Sequence, residues 1–144
     1  MPKESIDMVI GYTAGVFDLF HYGHVRLLEN ARALCDKLIV GVTVDELVSY
    51  KNKQAFIPFD HRIEVVSACR HVDIAIPQNN MDKVEAMKKL NATVLFVGDD
   101  WFGDEKWIEI ERALNEIEAR VIYFPYTESI SSTKINNALR ELRS

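Results

Sequence analysis

Gly15-Val16-Phe17-Asp18-Leu19-Phe20-His21-Tyr22-Gly23-His24 joins a strand-like run to a helix-like one. The apolar run Met8 to Ala14 precedes it and reads as a first β-strand. Val25 to Leu34 follows, with apolar residues at helical spacing. Two histidines three apart therefore sit where a strand turns into a helix. That spacing puts both imidazoles on one side of the first helical turn. A helix start also presents unpaired backbone N–H groups and the positive end of the helix dipole, so it attracts anions. Two imidazoles on such a turn point to phosphoryl or nucleotidyl chemistry. A simple capping or surface role is the alternative.

Working outward, strand-like and helix-like segments alternate through the chain. Lys37–Thr43 is a continuous apolar run, as expected of a strand buried on both faces. Asp45-Glu46 could open a short helix, and Ser49–Gln54 reads as a polar, basic loop. A helix starts at Pro58-Phe59-Asp60, with Ile63, Val66 and then Cys69 or Arg70 along one face. Asp73–Ile76 is a short strand broken by Pro77-Gln78-Asn79-Asn80, and Met81–Leu90 returns to helical periodicity. Thr93–Val97 is a fourth strand, Asp104–Ile117 a helix, Arg120–Phe124 a fifth strand, and Ser132–Leu142 a last helix. This alternation predicts an α/β fold: a Rossmann-like five-stranded parallel sheet with helices on both faces. Residues 1–144 read as one domain. Ligands of such sheets bind beyond the carboxyl ends of the strands. His21, His24, Gly98, Asp99, Asp100 and the Thr127–Ser131 segment all fall on that edge.

With 22 acidic against 17 basic residues and a net charge of −5, no basic field for nucleic acid exists. No apolar run approaches the roughly 20 residues that span a membrane. Met1–Ser5 lacks the apolar core of a signal peptide, so a cytoplasmic location is expected. Cys35 and Cys69 lack motif spacing and are expected as free thiols. The His and Cys residues are too few and too scattered for a tetrahedral zinc site, so no metal-ligating set is assigned. Tyr126–Lys134 bunches hydroxyl side chains at a helix start, which suits either N-capping or phosphate. Lys51 and Lys53 lie in a loop that could close over an anion. Arg70, among the apolar positions of its helix, needs a partner such as a phosphate or an acid across a subunit interface. Asp99 and Asp100 are metal-associated carboxylates or turn formers, and Trp101 covers a ligand or closes the core. There is no GxGxxG or Walker motif.

These residues together resemble the cytidylyltransferase-like nucleotidyltransferase family. Residues 15–24 are similar to its HxGH signature, and Thr127–Thr133 to its RTEGIST signature. Arg70-His71-Val72-Asp73 resembles its RYVDE element, and Gly98-Asp99-Asp100-Trp101 the GDDW of its glycerol-3-phosphate branch. Tyr126 stands where the family has Arg, Ser129 where it has Gly, and Val16 where that branch has Thr.

The resemblance implies transfer of CMP from CTP to glycerol 3-phosphate or a similar small phosphorylated alcohol. Pyrophosphate leaves and a CDP-alcohol forms for cell-surface polymers such as teichoic acid, with Mg²⁺ accompanying the CTP. It implies catalytic roles for His21, His24, Lys51 and Arg70. It implies nucleotide contacts from Val16, Phe17, Asp18, Tyr22, Gly23, Lys53, Arg62, Gly98, Asp100, Tyr126, Thr127, Glu128, Ser129, Ile130, Ser131, Ser132 and Thr133. Lys51, Lys83 and Trp101 would bind the acceptor. A homodimer through the Arg70–Asp73 region is also implied. The alternatives are an adenylyltransferase using ATP with another phosphorylated acceptor, and a nucleotide-binding protein with impaired catalysis.

Overall fold

The computed structural model describes residues 8–50, 55–98 and 105–125. Ten elements follow one another: β1 (Ile10–Gly15), α1 (Tyr22–Arg32), β2 (Lys37–Thr43), α2 (Asp45–Tyr50), α3 (Phe59–Ser67), β3 (Ile74–Gln78), α4 (Lys83–Leu90), β4 (Val94–Gly98), α5 (Glu105–Glu116) and β5 (Arg120–Phe124). The strands form one sheet in the order β3-β2-β1-β4-β5, and every pairing is parallel. This is the expected Rossmann-like α/β fold. The loop and last helix read beyond Phe124 lie outside the described residues, apart from Pro125.

Alternation along the strands explains the two faces. On β2, Leu38, Val40 and Val42 point one way, into a core with Leu28 and Ala31 of α1 and Val66 of α3. Ile39 points the other way, into a core with Met87 of α4 and Trp107 and Leu114 of α5. A strand covered by helices on both faces must be apolar at every position, which is why Lys37–Thr43 reads as an unbroken run. Gly41 shares the α4 side of β2 with Ile39. The Tyr12 ring crosses over it, so that a β-carbon there would lie 2.3 Å from the phenol oxygen.

α1 starts at Tyr22 with His21 as its cap, which puts both imidazoles at the first turn as their spacing predicts. One strand boundary differs from the sequence reading for an identifiable reason. β3 runs through Pro77 to Gln78 instead of breaking there. Proline removes one ladder donor, and β3 is an edge strand, where that donor is not required.

Strand order also places a site. Chain progress runs outward from β1 to β3, then crosses back to β4 and on to β5. The crevice of such a sheet lies at the carboxyl ends where this direction reverses, here between β1 and β4. Gly15 and Gly98 end those two strands.

Candidate active site

The turn leaving β1 is backbone-strained. Phe17 and Leu19 both take positive φ, 55° and 50°, which non-glycine residues rarely adopt. The chain thereby reverses quickly enough for His21 to cap α1 and His24 to sit three residues on. The two side chains close a reciprocal capping box. Gly23 N–H donates to His21 Nδ1 at 2.9 Å, and His21 N–H donates to His24 Nδ1 at 3.2 Å. The capping alternative is therefore correct as geometry, and it also dictates chemistry. An Nδ1 that accepts a hydrogen bond carries no proton, so each neutral ring bears its proton on Nε2.

The rings are packed as well as bonded. His21 stacks on His24 with centroids 4.0 Å apart, and Phe20 stacks on His24 at 5.3 Å. Phe17 tilts against His24 at 5.3 Å. Burial in this aromatic sandwich, reinforced by the neighbouring His21, pushes the His24 pKa down to about 3. Burial lowers that of His21 too. The helix start therefore offers neutral imidazole Nε2–H groups beside the positive end of the α1 dipole. A neutral Nε2–H at a helix N-terminus is the kind of donor that suits an anionic oxygen.

Asp18 and Arg62 face inward rather than toward a nucleotide. Asp18 is buried, and its two carboxylate oxygens accept the N–H groups of Phe56 and Ile57 at 2.9 and 3.0 Å. Arg62 is buried, and its guanidinium donates to the carbonyls of Ile57, Val16 and Thr43 at 2.7–2.8 Å. It also pairs with Asp45 at 2.6 Å. In this structure both side chains therefore hold backbone of the turn and of its neighbours. They tie the histidine turn to the end of β2 and to residues 56–57, close in sequence to Lys51 and Lys53. The Val16 carbonyl is taken up by Arg62, so any nucleotide contact there falls to its N–H.

Arg70 does not lie within its helix, where the periodicity suggested it. α3 ends at Ser67, and Arg70 is exposed in the turn before β3. The nine residues of α3 rise about 13 Å. They carry Arg70 from the carboxyl edge, where Pro58 caps the helix, to the opposite edge of the sheet. Tyr22 is exposed on α1, and its phenol accepts from Arg26 at 2.8 Å. Gly23 supplies the capping N–H, and Gly98 ends β4 beside the crevice. Lys83 opens α4 and lines a separate pocket on the far side of the sheet from α1. Lys51, Lys53, Asp100, Trp101 and Tyr126–Thr133 lie outside the described residues.

Sequence reading missed Asp45, Tyr12, Thr43 and Gln78. One signal was present: Gly41 inside an apolar strand marks close approach by another group. Cys35 and Cys69 are free thiols. Among the described residues no helix is long and apolar enough to cross a membrane.

The chain matches the family model described as cytidylyltransferase-like over residues 12–138. The glycerol-3-phosphate cytidylyltransferase of Bacillus subtilis strain 168 is 37% identical over 131 residues, covering 90% of this chain and 96% of that protein. The FAD synthase of Archaeoglobus profundus is 39% identical over 131 residues, covering 89% of this chain and 84% of that protein. Among solved structures, the lipopolysaccharide core biosynthesis protein of Thermoplasma volcanium GSS1 superposes with a TM-score of 0.71 at 24% identity, over 86% of this chain and all of that one. That likeness bears on the fold alone. The strained turn, the paired imidazoles at the head of α1 and the matched span together make this chain a member of the cytidylyltransferase-like nucleotidyltransferase family.

Proposed function

We propose that this nucleotidyltransferase moves CMP from CTP to glycerol 3-phosphate or a similar small phosphorylated alcohol. The observation that carries the reading is the His21–His24 capping pair, which holds imidazole donors at a helix N-terminus. The match to glycerol-3-phosphate cytidylyltransferases across 92–96% of their length supports the choice of substrates.

In this mechanism a phosphate-monoester oxygen of the acceptor attacks the α-phosphorus of CTP in line. The α-phosphorus–bridging-oxygen bond breaks, and pyrophosphate leaves with its electron pair. No covalent enzyme intermediate forms. His21 and His24 donate Nε2–H to phosphate oxygens, stabilising charge on the five-coordinate phosphorus without giving up a proton. Lys51 and Lys53 would neutralise acceptor and CTP phosphates, and residues 126–133 would hold CTP from across the crevice. Mg²⁺ would enter with the triphosphate. Among the described residues no group of three His, Cys, Asp or Glu side chains could hold a metal, so no step is assigned to it. Arg70 would serve a homodimer contact. The CDP-alcohol product suits a cytoplasmic step feeding surface-polymer assembly.

Pyrophosphate release tests this directly. CTP, Mg²⁺ and glycerol 3-phosphate are expected to give stoichiometric pyrophosphate and CDP-glycerol. No release from CTP across a panel of phospho-alcohols overturns the reading. A second reading, adenylyl transfer from ATP, is favoured by FAD synthases at 37–39% identity. Release from ATP with a flavin nucleotide, and none from CTP, selects it.

A further inference from the structure

β1 is joined unequally to its two neighbours. It registers with β2 along its whole length, from Ile10–Lys37 to Gly15–Val42. With β4 it registers only at Gly11–Val94 and Tyr12–Leu95. β4 registers with β5 along its whole length, from Val94–Arg120 to Gly98–Phe124. The sheet therefore has two fully laddered parts, β3-β2-β1 and β4-β5, and the seam between them opens above Tyr12 and Leu95. Thr13 and Phe96 come next in that register, yet they are not ladder partners. Instead the Thr13 hydroxyl donates to the Phe96 carbonyl at 2.9 Å. Thr13 is 2% exposed and Phe96 fully buried, so this bond is made away from water.

The bond sits at the root of the crevice. Two residues separate it from Gly15 on one lip and from Gly98 on the other, a height of about 7 Å. Beyond Gly15 comes the strained turn that leads to His21 and His24. Phe96 is held from its other side, where its ring stacks on Phe124 with centroids 5.5 Å apart and planes 4° from parallel. The Phe96 carbonyl is thus a fixed point on β4, and the Thr13 side chain ties β1 to it. A buried strand threonine that merely satisfies its own hydroxyl would make the same bond, but would leave turnover of the folded protein unchanged.

We propose that Thr13 is a positioning residue whose hydroxyl fixes how far β1 and β4 part. It thereby sets the spacing between the imidazoles and the β4–β5 lip across a bound nucleotide. The inference rests on nucleotidyl transfer at this crevice and holds for CTP or ATP. Thr13 acts through the backbone and touches no reacting atom. Geometry at a reacting centre is demanding: a misplacement of about 1 Å can cost on the order of 10²-fold in rate.

The test separates hydroxyl from shape. Thr13→Val keeps the shape and removes the hydroxyl; Thr13→Ser keeps the hydroxyl and removes a methyl. Pyrophosphate release is measured with the nucleotide that the unaltered chain uses, well below each variant's melting temperature. Thr13→Val is expected to lower kcat by at least about fivefold, with the nucleotide KM changed less than about threefold. Ground-state binding tolerates a looser crevice than in-line attack does. Thr13→Ser should stay within about threefold of the unaltered kcat even where it melts lower. A smaller loss in Thr13→Val, or an equal loss in both variants, overturns the proposal. If Thr13→Val does not fold, Thr13→Ala against Thr13→Ser isolates the hydroxyl in the same way. Amide hydrogen exchange reads the seam without turnover. Residues 13–15 and 96–98 should exchange at least about tenfold faster in the variant lacking the hydroxyl than in Thr13→Ser. Equal exchange sinks the proposal whatever the kinetics. No release from CTP or ATP by the unaltered chain sinks the transfer reading, and exchange then still decides whether Thr13 holds the seam.

Discussion

His24 uses its two ring nitrogens for different purposes. Nδ1 closes the cap on α1, which leaves the ring proton on Nε2. His21 divides its ring in the same way. Substitution can separate the two jobs. Asn supplies an oxygen where Nδ1 sits but nothing where Nε2 sits, and it is a strong N-cap. His21→Asn is expected to melt within about 2 °C of the unaltered chain, while kcat falls on the order of 10²- to 10³-fold, as for other lost transition-state donors. His21→Gln, whose amide nitrogen reaches the Nε2 position, should retain more kcat and melt lower. Pyrophosphate release and thermal unfolding check both. The depressed pKa values have a signed consequence for stability. Between the ordinary histidine value of 6.5 and about 3, unfolded His24 binds a proton that folded His24 refuses. Stability is therefore full above pH 6.5 and falls as pH drops through that window, by at most about 1.4 kcal/mol per pH unit for this ring. Denaturant titrations at a series of pH values measure the slope. Over the same range kcat/KM should show no limb from imidazole ionisation once the second ionisation of the acceptor phosphate, near pH 6, is allowed for.

At the scale of elements, α3 matters through Arg62. One guanidinium holds three carbonyls belonging to the β1–α1 turn, the end of β2 and residue 57. Arg62→Met leaves those carbonyls short of a donor in the interior, so a loss of about 3 kcal/mol is expected in chemical denaturation. Asp45→Ala should cost under about 1 kcal/mol, because that carboxylate is 51% exposed and its pair with Arg62 is screened. If both variants cost the same, the ion pair and not the carbonyl contacts holds the turn. β1 supplies a second element-level case. A β-carbon on Gly11 would lie 2.5 Å from Phe96 Cε2 and 3.0 Å from Cys35 Sγ. Gly11→Ala is expected to cost about 1–3 kcal/mol through overpacking, read by the same denaturation.

For the whole molecule, strand order decides what the carboxyl edge brings together. β1 and β4 are adjacent though β2 and β3 intervene in the chain, and this opens the crevice beside His21 and His24. Two ligands then compete in prediction. CTP at a given concentration should raise the melting temperature more than ATP, since stabilisation follows occupancy of the folded state. The reverse order of shifts points to adenylyl transfer. Much of this arrangement is legible in the chain. Unbroken apolar runs mark buried parallel strands, and the two histidines mark the helix head. Arg62 and Asp18 were legible as special but not in their roles, because a buried ion or acceptor shows its partner only after folding. Arg70 was misplaced because periodicity does not say where a helix stops.

Local pattern in the chain was enough for the α/β class, the family and the residues at the head of α1. These depend on local pattern: period, capping positions and motif order along the chain. Tertiary structure alone decided that Asp18 and Arg62 brace the turn, that Arg70 lies at the far edge of the sheet, and that Tyr12 crosses Gly41 to meet a pocket beside Gln78. Those relations join residues 29 to 66 positions apart or lie at opposite ends of one helix. They exist only once strands pair in register and each side chain is assigned to one face of the sheet.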